Sequence, residues 1–250
     1  MKKDQLSTFK AKQDLLAKRK ETLKGDNRLA LIASGVAIAL AAVSQLAYFG
    51  FGPGAPTVQE TSTPTESAVV ENSELVPDPA IAEARVWNGS LKLNDAEISF
   101  ELDGVNAPQA VANFVSLVRS GFYEGVSCHR LTTAEYGIEV LQCGDPNGDG
   151  MGGPGYQWGP IENAPAGDLY KEGVLAMARQ GGNGSSMGSQ FFIVYADSTI
   201  PSDAAGGYTV FGSIKSGLDA VKEIAAKGTE DGSGNGRPLE PVVMTSLAVE

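Results

Sequence analysis

Four short stretches of the chain hold residues that could do chemistry. The only two cysteines, Cys128 and Cys143, have fourteen residues between them, and the single histidine, His129, adjoins Cys128 and Arg130. Two thiols and one imidazole fall short of the four ligands of a structural zinc site. A disulfide between them requires a compartment outside the reducing cytosol. Residues 184–188 (GSSMG) fit G-x-S-x-G, but a nucleophile elbow needs strand, turn and then helix. This run instead leads into the strand-like FFIVY and has no second histidine to serve as base. Residues 150–155 fit G-x-G-x-x-G, yet no helix follows and Pro154 would break one. Residues 145–150 (DPNGDG) begin like a calcium loop, but position twelve is Tyr156 where a glutamate is needed, and flanking helices are missing. No metal and no cofactor is expected, and 145–155 reads as a Gly-rich solvated loop.

The elements that must position such residues lie in the C-terminal two thirds. Residues 90–93 and 97–102 alternate like strands, with Ile98, Phe100 and Leu102 on one face. Pro108 opens a helix whose Val111, Phe114, Val115 and Leu117 share a side, and Gly121 ends it. Residues 173–177, 191–195, 208–214 and 242–249 read as strands, and 218–226 as a second helix ending at Gly228. Many short strands with two helices imply a mainly β, closed antiparallel barrel with helical lids.

Charge divides the 250-residue chain, whose formal net charge is −11. Residues 1–28 hold nine Lys/Arg against four Asp/Glu, a net of +5 that leaves −16 on the other 222 residues. Such an acidic bulk repels phosphate backbones, so no nucleic-acid partner is expected. Residues 29–49 contain no charge in 21 positions, enough for a helix across a bilayer at ~1.5 Å per residue. Tyr48, Phe49 and Phe51 follow at headgroup level, then Gly50, Gly52 and Pro53 stop the helix. A cleaved signal peptide is the rival, but its apolar region would be shorter. The expectation is an uncleaved single-pass anchor at 29–52, in contact with membrane lipid. Lys18, Arg19, Lys20, Lys24 and Arg28 precede the span, and 53–84 hold no Lys or Arg. The N-terminus is therefore expected in the cytoplasm and the C-terminal bulk outside. The leader, 1–28, reads equally as a basic helix on anionic lipid or as a solvated topogenic tail. Residues 53–84, rich in Pro, Thr, Ser and Glu, read as a disordered spacer, with the folded domain at 85–250.

The segments GFYEGVSCHRL, QCGDPNGDGMGGPGY, GVLAMAR, GSQFFI and GGYTVFG, preceded by APQAVANFVSLV, occur in the order found in cyclophilins. Most of 86–250 resembles that family. The resemblance implies a closed eight-stranded antiparallel barrel capped by two helices, here preceded by a single transmembrane helix. It also implies a monomeric catalytic domain that isomerises X–Pro bonds, and with the expected topology its substrates are exported or envelope proteins.

Peptide rotation faces a barrier of ~18–20 kcal/mol, because resonance stiffens the C–N bond. A catalyst must favour the twisted amide, whose prolyl nitrogen regains a lone pair and accepts hydrogen bonds better. An arginine is suited to this, since it stays charged and carries fixed donors. Arg130 matches the family's catalytic arginine; the alternative is a strand arginine held in an ion pair. By the same resemblance Gln142 and Gln190 hydrogen-bond the substrate backbone, Phe192 walls the proline pocket, and the Ala178 backbone lines the peptide groove. Val140, Arg179 and Tyr208 occupy further pocket positions with residues the family does not usually have. An insertion follows Arg130, and Glu139-Val140 replaces a Phe-Met pair, which removes an aromatic wall. Residues 200–203 stand where the family has a tryptophan tied to cyclosporin, so weak cyclosporin binding is expected. Resemblance to the family hairpin also implies that Cys128 and Cys143 lie on neighbouring antiparallel strands, close enough for a disulfide. A proline-peptide binding module with little turnover is the competing reading.

Overall fold

The computed structural model describes residues 72–250. The leader, the apolar run at 29–52 and most of the expected spacer lie outside these residues. Among the described residues no helix is long and apolar enough to cross a membrane.

Strands β1 (Val86–Leu93), β2 (Ala96–Asp103), β3 (Arg130–Thr132), β4 (Val140–Cys143), β6 (Val174–Met177), β7 (Phe191–Val194), β9 (Val210–Ser216), β10 (Asn235–Gly236) and β11 (Met244–Val249) form one antiparallel sheet. Its order is β10-β3-β4-β7-β6-β9-β2-β1-β11, and β5 (Leu169–Tyr170) pairs separately with β8 (Ser198–Thr199). The sheet curls. The chain just ahead of β3 meets the chain just ahead of β11 through the bridge Ser127–Val243, with Cys128 N–H donating to Val242 O at 2.8 Å. This corrects the closed eight-stranded barrel to a curled nine-stranded ladder. A three-residue β3 and a two-residue β10 are too short to continue the ladder around the seam.

Helices α1 (Pro108–Arg119) and α2 (Leu218–Ala226) occupy the expected places. Ala107 offers α1 no side-chain cap. Its first N–H groups are instead received by Glu162, from Gln109 at 3.0 Å and Ala110 at 2.9 Å. A carboxylate at the positive end of the helix satisfies donors that would otherwise be orphaned. The apolar stripe of α1 sinks Phe114 among Phe100, Tyr123, Phe191 and Phe211, at ring separations of 5.1–6.0 Å. These four neighbours come from β2, the loop after α1, β7 and β9, so one side chain ties the helix to three strands.

The ordered chain begins ahead of the expected boundary at 85. Residues 79–82 form a 3-10 turn, and Ala82 is fully buried, its carbonyl accepting from the Trp87 indole at 2.8 Å. Asn72 clasps Gly159 in both directions, through its N–H at 3.0 Å and its carbonyl at 2.8 Å. Gln109 on α1 donates to Pro77 O at 2.8 Å. The stretch 72–84 is held by these polar contacts and by Val76, Ile81 and Ala82 against the core, too few apolar residues to show a period, which is why its composition reads as spacer.

Candidate active site

Cross-strand register sorts the side chains of β3, β4, β7 and β6 onto two faces. Arg130 stands opposite Gln142, Gln142 opposite Phe192, and Phe192 opposite Ala176. Because cross-strand partners share a face, these four form one row. At ~4.8 Å between strands, the row carries roughly 10 Å of backbone from Arg130 to Phe192. The adjacent row, Leu131, Leu141, Ile193 and Leu175, points to the other face and into the main core. A second, smaller apolar cluster lies on the Arg130 face: Val140, Tyr170, Ala176, Phe192, Val194 and Ile200, with Ala178 and Tyr208 against it. Only 5% of Phe192 faces water, so it forms the floor of this patch.

Arg130 is partly buried and makes no ion pair among the described residues. Its Nε donates to Asn235 Oδ1 at 2.8 Å and its Nη1 to Gln142 Oε1 at 3.2 Å. Gln142 Nε2 then donates to Gln190 Oε1 at 2.9 Å. Gln190 Nε2 in turn donates to the carbonyls of Gly150 and Gly152, at 3.0 and 2.9 Å. The chain of bonds ends on the loop after β4, which Asp145 organises by accepting from the N–H groups of Asn147, Asp149 and Gly150. A Cβ on Gly152 would collide with Asp145 Oδ1, so the loop can reach Gln190 only with glycine there. Burial pushes the pKa of Asp145 up, but its surroundings are largely polar backbone. The N–H groups of Asn147, Gly150 and Gly152, with His129, carry the net below the usual carboxylate value. What reads from sequence as a solvated Gly-rich loop is the anchor of the polar network.

Two expected substrate contacts have other duties. Both N–H bonds of Gln190 go to the loop carbonyls, which makes it a spacer between Gln142 and that loop. Gln142 retains one N–H beyond its bond to Gln190. Arg179 differs more: its side chain has no exposed surface. Nε donates to Gly207 O at 2.9 Å, Nη1 to Gln180 O at 3.1 Å and Asp203 Oδ2 at 2.9 Å, and Nη2 to Asp203 Oδ1 at 3.0 Å and to Gly206 O. All five donors are consumed, so Arg179 clamps the loop at 203–207. Its guanidinium also lies 4.7 Å from the ring of Tyr208, which stands edge-on to Phe192 at 5.5 Å. Tyr208 and Val140 therefore border the apolar patch, while Ala178 holds the groove edge, its N–H donating to Gln190 O at 2.9 Å. A groove of about 870 Å³ adjoins the row, lined by Gln142, Gln190, Ala178 and the loop at 150–157.

Cys128 and Cys143 are joined by a disulfide on the core side of the hairpin that carries Arg130 and Gln142. His129 is buried, and neither ring nitrogen has a hydrogen-bond partner among the described residues. Burial lowers its pKa, Asp145 and Asp149 oppose this, and Arg130 and Arg237 reinforce it. Sequence reasoning missed Asn235, Asp203 and Tyr136. The last lies in the insertion after Arg130, with its ring 5.6 Å from the guanidinium.

A curled sheet that sets an arginine and amide donors beside an apolar patch is the layout of a cyclophilin-like domain. Residues 90–249 match the family described as cyclophilin type peptidyl-prolyl cis-trans isomerase/CLD, and the chain belongs to that family. Over 172 residues it is 42% identical to a "Probable peptidyl-prolyl cis-trans isomerase B" of Mycobacterium tuberculosis, covering 64% of this chain and 54% of that protein. The chain thus spans about half the length of the first curated relatives it matches. A "Peptidyl-prolyl cis-trans isomerase B" of Bacillus subtilis is 39% identical over 129 residues, which are 52% of this chain and 83% of that protein. Among solved structures, a cyclophilin type isomerase of Cryptosporidium parvum, crystallised in the presence of the dipeptide Ala-Pro, matches with a TM-score of 0.55 at 26% identity. That match covers 65% of this chain and 98% of the other.

Proposed function

We propose that the domain catalyses rotation about X–Pro peptide bonds, with Arg130 as the catalytic residue. The carrying observation is the state of that guanidinium: two of its nitrogens are fixed by neutral amide oxygens, and among the described residues no carboxylate pairs with it. A donor held this way bonds more strongly to the pyramidal prolyl nitrogen of the twisted amide than to the planar ground state. A differential of ~4 kcal/mol gives about a thousandfold in rate. The proline ring would rest on the patch floored by Phe192 and bordered by Val140 and Tyr208, and Gln142 would orient the peptide with its remaining N–H. The relative studied with Ala-Pro supports a proline-containing substrate.

The finer setting is part of the same proposal. The apolar run at 29–52 and the basic leader support a membrane-tethered isomerase facing away from the cytoplasm and acting on exported proteins. The disulfide supports a compartment outside the reducing cytosol. The full chain in detergent, compared with Arg130→Ala in a nuclear magnetic resonance exchange assay on a proline tetrapeptide, tests the activity. A loss of two to three orders of magnitude is expected in the variant. Equal rates would leave proline-peptide binding as the function. A protease-protection experiment on intact cells tests the topology, and protection of the C-terminal domain would overturn it.

A further inference from the structure

A seven-residue loop, 133–139, joins β3 to β4 beside Arg130. It carries Tyr136, 52% exposed, beside the Arg130 guanidinium. The ring is placed by backbone bonds: Tyr136 N–H donates to Thr133 O at 2.8 Å, Gly137 N–H to Ala134 O at 3.1 Å, and Thr133 N–H to Gly234 O at 2.9 Å. Gly234 lies against this turn so closely that a Cβ would stand 2.9 Å from Tyr136 N. The next residue, Asn235, pairs with Thr132 and receives Arg130 Nε. One contact between two loops therefore sets both the guanidinium and the aromatic ring.

We propose that Tyr136 is a specificity-determining residue of the isomerase site, the aromatic wall along which the substrate peptide runs. The proposal rests on the role of Arg130 given above. Nε and Nη1 of Arg130 are engaged by Asn235 and Gln142, whereas Nη2 makes no hydrogen bond among the described residues. The ring lies 5.6 Å from the same guanidinium, so a peptide bonded to Nη2 comes within reach of it. An aromatic surface open to water gains most from apolar and aromatic side chains laid against it. The unneutralised charge of Arg130 repels a lysine or arginine at the same place. The structure therefore selects peptides with an aromatic or aliphatic residue flanking proline and selects against cationic ones.

The test uses the full chain in detergent, with Tyr136→Phe, Tyr136→Leu and Arg130→Ala. The probes are the tetrapeptides Ala-Phe-Pro-Ala, Ala-Ala-Pro-Phe, Ala-Lys-Pro-Ala and Ala-Ala-Pro-Ala, read by exchange rates and by titrated affinity. Tyr136→Leu should lower the preference for a phenylalanine peptide over the all-alanine one by about 3- to 10-fold, chiefly in KM. Tyr136→Phe should keep that preference, which a purely structural role for the residue does not require. Unchanged preference in Tyr136→Leu overturns the inference. Were the wild-type chain no faster than Arg130→Ala, the isomerase reading would fall by itself, and the affinity ratios would still decide whether Tyr136 contacts the peptide.

Discussion

Replacing Arg179 with alanine should release the loop at 203–208 and, with it, one border of the apolar patch. The guanidinium gives three bonds to the carbonyls of Gln180, Gly206 and Gly207 and two to Asp203. Gly207 is buried, so its orphaned carbonyl costs ~1–3 kcal/mol. With the loss of packing around a side chain that has no exposed surface, the total should reach about 3 kcal/mol. For a domain of this size that lowers Tm by roughly 6–12 °C. Arg179→Lys keeps the charge but not the fork, and should recover less than half of the loss. The clamp should hold across neutral and mildly acidic pH. Hydrogen bonds from Arg179, Gly182 and Ala205 hold the Asp203 carboxyl far below its ordinary value. Its contribution is therefore complete above the unfolded value near 3.8 and is lost only as pH falls through the much lower folded value. Thermal unfolding by circular dichroism at pH 5 and pH 7 measures both effects. A Tm for Arg179→Ala within 2 °C of the parent would refute the clamp.

The disulfide closes a sequence separation of 15 residues, for which the loop-entropy estimate is about 3 kcal/mol. Reduction should lower the unfolding midpoint accordingly and slow isomerisation by loosening the Arg130 hairpin; identical midpoints with and without reductant would refute it. Burial keeps His129 neutral in the fold, with a pKa below its unfolded value near 6.5. Stability should therefore be full above pH 6.5 and fall as acid protonates the ring, and His129→Phe should flatten that limb of a pH–stability curve. A chain starting at residue 85 should unfold more readily than one starting at 72, because the Trp87 indole and the Gln109 amide lose their acceptors at Ala82 and Pro77. Each orphaned donor costs ~1–3 kcal/mol, and equal urea midpoints would contradict this.

Elements with periodic burial were legible from their apolar pattern, while β6 and β7, buried along nearly their whole length, were legible as short apolar runs between turns. Ile98, Phe100 and Leu102 mark β2, and the stripe at Val111, Phe114, Val115 and Leu117 marks α1. The two-residue strands β5, β8 and β10 were not, since two positions cannot show a period. Arg130, Gln142 and Phe192 were found by resemblance, and the register confirms that they share a face. Which donors remain free was hidden. Arg179 is defined by carbonyls more than twenty positions downstream, and Gln190 by carbonyls some forty positions upstream. The departure at Arg179 was visible, but sequence could not show that its partner is Asp203.

The choice of amides as partners for Arg130 carries a last consequence. A carboxylate would orient the guanidinium equally well, but it would neutralise the charge that the twisted amide must use. The nearest network carboxylate, Asp145, is set apart from Arg130 by Gln142, Gln190 and the loop, and its charge is absorbed by backbone N–H groups. Gln142→Glu tests this separation with almost no change in shape. At ~4 Å and an effective dielectric constant near 20, the new pair would attract by about 4 kcal/mol. If a quarter to a half of that opposes the transition state, kcat/KM falls roughly 5- to 30-fold. The new ion pair is set against the loss of the Gln142 donor to Gln190 Oε1, so the fold should change in stability by no more than about 1–3 kcal/mol, which urea unfolding of the variant measures. A Gln142→Glu chain that isomerises a proline peptide as fast as the parent at pH 7 would show that the free charge of Arg130 is not what the site was built to keep.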